Sequence, residues 1–143
     1  MREQKFRGLD TQGIWHYGDL IHTKHFAYIL NTNFLPAKSI PSNQFIEVDS
    51  ETIGQYTGLK DKNGKEIYEG DILGIKQYDQ FISTKFVVKW NKLTAKYQAF
   101  QFLPESITQD KLSTVGIDFN CMKTLKDCDY EIICNIHENP ELQ

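Results

Sequence analysis

Glu66, Glu69 and Asp71 crowd one short stretch around Gly70, and carboxylates this close together can hold a hard cation or act as a general acid and base. The enzyme class they would serve is a metal-dependent hydrolase. The same residue types also suit a solvated turn, where Gly and acidic side chains are the ordinary choice. An EF-hand loop counted from Asp61 requires Gly at its sixth position and Glu at its twelfth; this chain has Glu66 and Ile72 there, so that calcium motif is excluded. His16, His22 and His25 are neighbours in sequence, but a three-residue step on a strand sends His22 and His25 to opposite faces, and no Cys or carboxylate completes a tetrahedral set. Cys121, Cys128 and Cys134 are odd in number and lack C-x-x-C spacing, which points to reduced thiols rather than a disulfide framework or zinc knuckle. No G-x-S-x-G elbow, Walker loop or dinucleotide glycine loop occurs. Catalysis is thus unsupported, and no cofactor is implied.

Binding chemistry is better represented. Lys85 and Lys89 flank Phe86 and Trp90, an interleaving that single-strand binders use for backbone contact and base stacking, although an amphipathic strand has the same pattern. Against nucleic acid stand a net charge of -3 and the lack of any long basic run, because non-specific affinity comes mostly from phosphate neutralisation. Aromatic residues make up 13% of the chain, with nine Phe and seven Tyr, more than a small core needs. Tyr56, Tyr68 and Trp90, with Lys85 and Lys89, are the expected binding surface; burial in the core is the competing expectation, above all for Trp90.

The elements that must position these groups are strands. Asn63-Gly64 predicts a type I′ hairpin tip, with Lys60, Asp61, Lys62, Lys65 and Glu66 solvating it. Gly54, Gly58 and Gly70 punctuate the apolar runs on either side. Upstream, strands are expected at Lys5 to Leu9, Ile14 to His22, Phe26 to Leu30 and Phe45 to Asp49, with a loop over Asn31 to Asn43 that holds Pro36 and Pro41. Downstream, they are expected at Ile72 to Tyr78, Lys85 to Asn91, Lys96 to Leu103 and Asp129 to His137. A bulge near Ala99 is expected to switch parity from Tyr97 and Ala99 to Phe100 and Phe102. Cys134 should share a face with Tyr130, Ile132 and Ile136 as a small hydrophobe. Glu105 to Leu112 suggests one or two helical turns within an insertion, and Pro140 ends the last strand before a tail whose only apolar anchor is Leu142.

Four blocks carry a resemblance to a known family. Met1 to Gly8, Trp15 to Ile21, Gly54 to Ile72 and Tyr130 to Leu142 follow one another as in the YopX proteins of phages and prophages, while Thr23 to Gln44 and Asp79 to Asp127 add no such signal. Cys134 departs from the family pattern, which has a small residue, usually Gly, before Asn-Ile. The resemblance implies a predominantly β protein of small barrel-like subdomains, encoded on phage or integrated-phage DNA, with no established activity and with motifs that mark fold positions.

Together these observations predict a mainly β chain of two small β subdomains with little helix: an N-terminal one over residues 1–56 and a C-terminal SH3-like barrel over 57–143, with an insertion around 104–127. A length of 143 residues suffices to bury about two-thirds of the unfolded surface without staples. No apolar stretch nears the roughly 20 residues needed to span a bilayer, so no membrane partner and a cytoplasmic location in a bacterial host are expected. A non-catalytic binding or assembly module, with a protein partner or self-association, is the leading function. A nucleic-acid-associated accessory factor in phage replication or regulation is the second, and the hydrolase of Glu66, Glu69 and Asp71 the third.

Overall fold

Asp-x-x-Gly turns and glycine corners organise the chain into antiparallel strands. The computed structural model describes residues 4–31, 42–77, 80–101, 116–118 and 129–138. Residues 32–41 of the expected proline loop, the expected helical turns over Glu105 to Leu112, Phe102 and Leu103, Cys121, Cys128 and the tail from Asn139 lie outside the described residues. Two compact units divide the chain, Met1–Gly58 and Leu59–Gln143.

In the first unit, β1 (Phe6–Leu9), β2 (Trp15–His22), β3 (Ala27–Leu30), β4 (Phe45–Val48) and the start of β5 (Gly54–Lys60) pair in the spatial order β4-β3-β2-β1-β5. Residues Trp15 to Gly18 of β2 pair with β1, and Asp19 to His22 pair with β3. Gly18 sits where the partner changes, and a Cβ built there would overlap the backbone carbonyl oxygen of Leu30, so only glycine permits that approach. Ala27, Ile29 and Val48 form the core, with Phe6, Leu20 and Ile53 packed against it. Gly8 faces the same core; its added Cβ would come within 2.6 Å of Val48 Cγ2. Thr52, in a 3-10 turn after β4, accepts from Leu9 N at 2.9 Å and donates to Asp49 O at 2.7 Å, so one hydroxyl ties this turn to the end of β1.

The second unit contains the end of β5, β6 (Glu66–Tyr68) and a five-stranded sheet. Its strands are β7 (Asp71–Gln77), β8 (Gln80–Asn91), β9 (Lys96–Gln101), β10 (Gly116–Asp118) and β11 (Asp129–Asn135), in the order β10-β9-β8-β7-β11. Ile67, Leu73, Phe86, Val88, Tyr97 and Ala99 form the core, and Leu59, Tyr130 and Ile132 close around it. The β5–β6 hairpin thus covers one face of the sheet, and the fold is mainly β.

Several local expectations are corrected. Gly64 has φ 81° but Asn63 does not take positive φ, so the tip is a three-residue loop rather than type I′. Gly64 N donates to Asp61 O at 3.0 Å and Asp61 N to Lys65 O at 2.8 Å, the pattern of a type I turn closed by a left-handed glycine. β8 and β9 pair without a break from Phe86↔Gln101 to Asn91↔Lys96, so Ala99 carries no bulge; Phe100 simply faces the other side of the sheet. The irregularities fall instead between Gly74 and Lys76 and between Ile132 and Cys134. The second of these separates Cys134, opposite Ile72, from Ile132, opposite Leu73, so the two lie on different faces. β10 lies inside the expected insertion and was not predicted.

Candidate binding surface

The three clustered carboxylates each serve a different donor. Glu66 Oε2 accepts from the Tyr68 hydroxyl at 2.7 Å, Glu69 Oε1 accepts from Trp90 N at 3.1 Å, and Asp71 Oδ2 accepts from Tyr68 N at 2.8 Å. Asp71 is only 1% exposed. Between them Gly70, at φ 85°, donates its N–H to Val88 O at 2.9 Å and accepts from Ile136 N at 3.0 Å. Glu69-Gly70-Asp71 is therefore a corner pinned to β8 and to the end of β11. Among the described residues, no group of three His, Cys, Asp or Glu side chains is arranged to hold a metal ion.

The other conspicuous polar residues do the same kind of work. Asp61 Oδ1 accepts from Asn63 N at 2.8 Å and Lys65 N at 2.9 Å, and its Oδ2 accepts from Ile132 N at 3.3 Å. Lys62 N donates to Tyr130 O and Lys62 Nζ pairs with Glu131, so the hairpin tip is fastened to β11. Asp10 repeats this motif: Oδ1 accepts from Gln12 N and Ile14 N, and Gly13 N donates to Asp10 O. His16 is taken up here, with Nε2 at 2.8 Å from Asp10 Oδ2. These contacts hold the Asp10 carboxyl below its ordinary pKa, the Ile14 bond most of all and His16 next. Near Asp61, burial raises the Tyr130 phenol and the Asp61 charge adds to the rise.

Of the expected binding surface, Tyr56 and Tyr68 are core residues, 7% and 2% exposed. Burial of Tyr68 is made possible by Glu66, which satisfies its hydroxyl within the fold. Trp90 is 39% exposed and meets the buried Tyr97 edge-on, with ring centroids 4.9 Å apart. Register puts Lys89 opposite Gln98 and Trp90 opposite Tyr97. Lys85 and Lys89 therefore project from the face opposite Phe86 and Trp90, and the interleaving does not form a single groove.

Sequence reasoning missed a different surface. On the outer side of β2, β3 and β4, register lines up Asp19, Leu30 and Phe45 in one row and Ile21, Tyr28 and Glu47 in the next. Ile21 and Phe45 are exposed, Tyr28 is half-buried and Leu30 is buried; Phe26 is exposed too, with its ring 6.3 Å from that of Tyr28. Strand alternation at Asp19-Leu20-Ile21 was legible, but which side faced the core was not, because both sides carry apolar groups.

The crystal structure of protein EF1440 from Enterococcus faecalis superposes with a TM-score of 0.51 at 25% identity and covers 99% of both chains. No curated protein matches this sequence. Among the described residues, no helix is long and apolar enough to cross a membrane. The family model for the YopX protein matches residues 5–143, nearly the full length, and the chain belongs to the YopX family.

Proposed function

We propose that this chain is a non-catalytic binding or assembly module, encoded by a phage or prophage and acting in the cytoplasm of a bacterial host. The single observation that carries this reading is the outer face of β2, β3 and β4, where Ile21, Tyr28 and Phe45 form an apolar strip between Asp19 and Glu47. Ile21 and Phe45 expose their apolar side chains there beside the half-buried Tyr28, and neighbouring exposed apolar groups of this kind mark contact surfaces. Supporting it is the engagement of Glu66, Glu69 and Asp71 by separate internal donors, which leaves the hydrolase reading without a convergent site. The hairpin-covered sheet of the second unit is read as a small SH3-like barrel that acts as a scaffold.

The test is affinity capture from infected host cells with the wild-type chain and an Ile21→Asp/Phe45→Asp variant of unchanged circular dichroism. Loss of a specific protein from the variant supports the proposal. Identical protein sets for both forms overturn it. The nucleic-acid alternative is checked with single-stranded DNA at low salt, where no binding is expected because Lys85 and Lys89 point away from Phe86 and Trp90.

A further inference from the structure

Building on the binding-module reading, we infer that the β8–β9 turn of one copy docks on the outer β2–β3–β4 face of a second copy. Leu93 stands at that turn 93% exposed, and Lys89, Lys92 and Lys96 around it are exposed as well. No acidic residue occurs between Lys85 and Gln101. The turn is preformed. Asn91 Oδ1 accepts from Leu93 N at 2.9 Å and Thr94 N at 3.4 Å, while Asn91 Nδ2 donates to Gln98 Oε1 at 2.6 Å. Ala95 completes it at φ 50°. A knob held in this way loses little conformational freedom on docking.

The outer face has the opposite character. Its strip of Ile21, Tyr28 and Phe45 lies between Asp19 and Glu47 at diagonal corners, and the paired stretches of β2, β3 and β4 contain no Lys or Arg. An apolar knob ringed by cations thus matches an apolar strip flanked by anions, and each molecule carries both halves. Single-stranded nucleic acid would suit the lysines but would meet Leu93, since Trp90 projects from the face opposite Lys89. An anionic lipid surface would suit the turn and leave the acidic face uncovered. Because each copy carries both halves, the contact can be made reciprocally in a pair or repeated from copy to copy, and the mass distinguishes the two.

Sedimentation velocity of the full chain over a wide concentration range, at low and moderate salt, tests this. Mass is expected to rise with concentration and to fall with salt. Leu93→Asp, Lys89→Glu/Lys92→Glu and Asp19→Lys/Glu47→Lys should each weaken association roughly tenfold or more. In a mixture of the Lys89→Glu/Lys92→Glu and Asp19→Lys/Glu47→Lys proteins each half meets its opposite charge on the other protein, so the mixture should associate where neither does alone, and combining all four changes in one chain should restore assembly. All five positions are exposed, and circular dichroism verifies that each variant folds. A monomer at every concentration in low salt overturns the inference, as does association indifferent to these changes or not restored by the combination. Salt-dependent binding of single-stranded DNA or anionic vesicles by a persistently monomeric chain, lost in Lys89→Glu/Lys92→Glu, overturns it too and reassigns the turn. A monomer that still loses a captured host protein on Ile21→Asp/Phe45→Asp removes the self-contact and leaves the binding-module reading standing.

Discussion

Replacing Asp61 should unfold the second unit far more readily than a surface carboxylate would. Its side chain, 7% exposed as a residue, accepts from three backbone N–H groups, at Asn63, Lys65 and Ile132. Bonds to a charged acceptor contribute about 1.5–3 kcal/mol each, but the two donors at the hairpin tip can be rehydrated and the Ile132 bond is long, so about 1 kcal/mol apiece is the better figure. Asp61→Ala should therefore cost about 3 kcal/mol of the roughly 5–15 kcal/mol that holds a domain together. In a unit of this size that is a fall of about 12–24 °C in Tm. Asp61→Asn keeps the Oδ1 acceptor at the tip but can set an amide N–H against the Ile132 N–H, and should cost about 1–1.5 kcal/mol. Urea unfolding followed by Trp90 fluorescence in a Trp15→Phe background reads the second unit alone, because the two tryptophans belong to different units. The substitution keeps an aromatic face beneath Arg7, whose guanidinium lies 4.7 Å from the Trp15 ring centroid. Losses below about 1 kcal/mol for Asp61→Ala, or equal losses for Ala and Asn, would refute the role given to this carboxylate.

Glycine positions separate by mechanism. Gly18→Ala should cost more than about 3 kcal/mol, because its Cβ meets backbone rather than a movable side chain, whereas Gly64→Ala, with nothing within 4 Å, should cost about 1 kcal/mol from its φ of 81° alone. Thermal denaturation of both variants checks the order. Ala95→Gly, relieving an αL residue at φ 50°, should leave stability unchanged or raise it by up to about 1 kcal/mol in the same assay. The depressed Asp10 carboxyl contributes stability that is present above its ordinary value of 3.8 and is lost as pH falls through its lower folded value. Asp10→Asn should flatten that acid limb in a pH series of urea midpoints. At the alkaline end the raised Tyr130 phenol contributes stability that is present below 10.0 and is lost as pH rises through its higher folded value, so Tyr130→Phe should flatten the decline there.

The strand order of the sequence was legible where glycines and alternation coincide, as around Gly54, Gly64 and Gly70, because those residues leave the backbone few alternatives. Kinship was legible for the same reason: the Asp61-to-Gly64 and Glu69-to-Asp71 segments are corners whose polar groups are consumed by the fold. Turn type was not, since Asn-Gly serves both a two-residue loop and the end of a three-residue one, and Asp61 decides between them from outside the dipeptide. Tyr56 and Tyr68 were expected at the surface because the chain has more aromatic residues than a small core needs; the contact that lets Tyr68 be buried, its hydroxyl bonded to Glu66 two residues away, has no signature in the composition. The bulge after Ile132 is invisible in the apolar run Ile132-Ile133, where either parity is acceptable. The outer face of the first unit depends on register between distant strands, and the Leu93 knob on a turn without glycine or proline; neither has a local signature.

Amide hydrogen exchange of the full-length chain, compared between dilute and concentrated low-salt solution, asks most directly whether its business is done by surfaces instead of by clustered acids. Slowed exchange confined to the peptides around Ile21 to Tyr28, Phe45 to Glu47 and Lys92 to Lys96 is the expected pattern, with Glu66 to Asp71 unchanged in both solutions and on addition of magnesium or calcium. Protection that appears at Glu66 to Asp71 with a divalent cation, and at none of the other three segments, would contradict it.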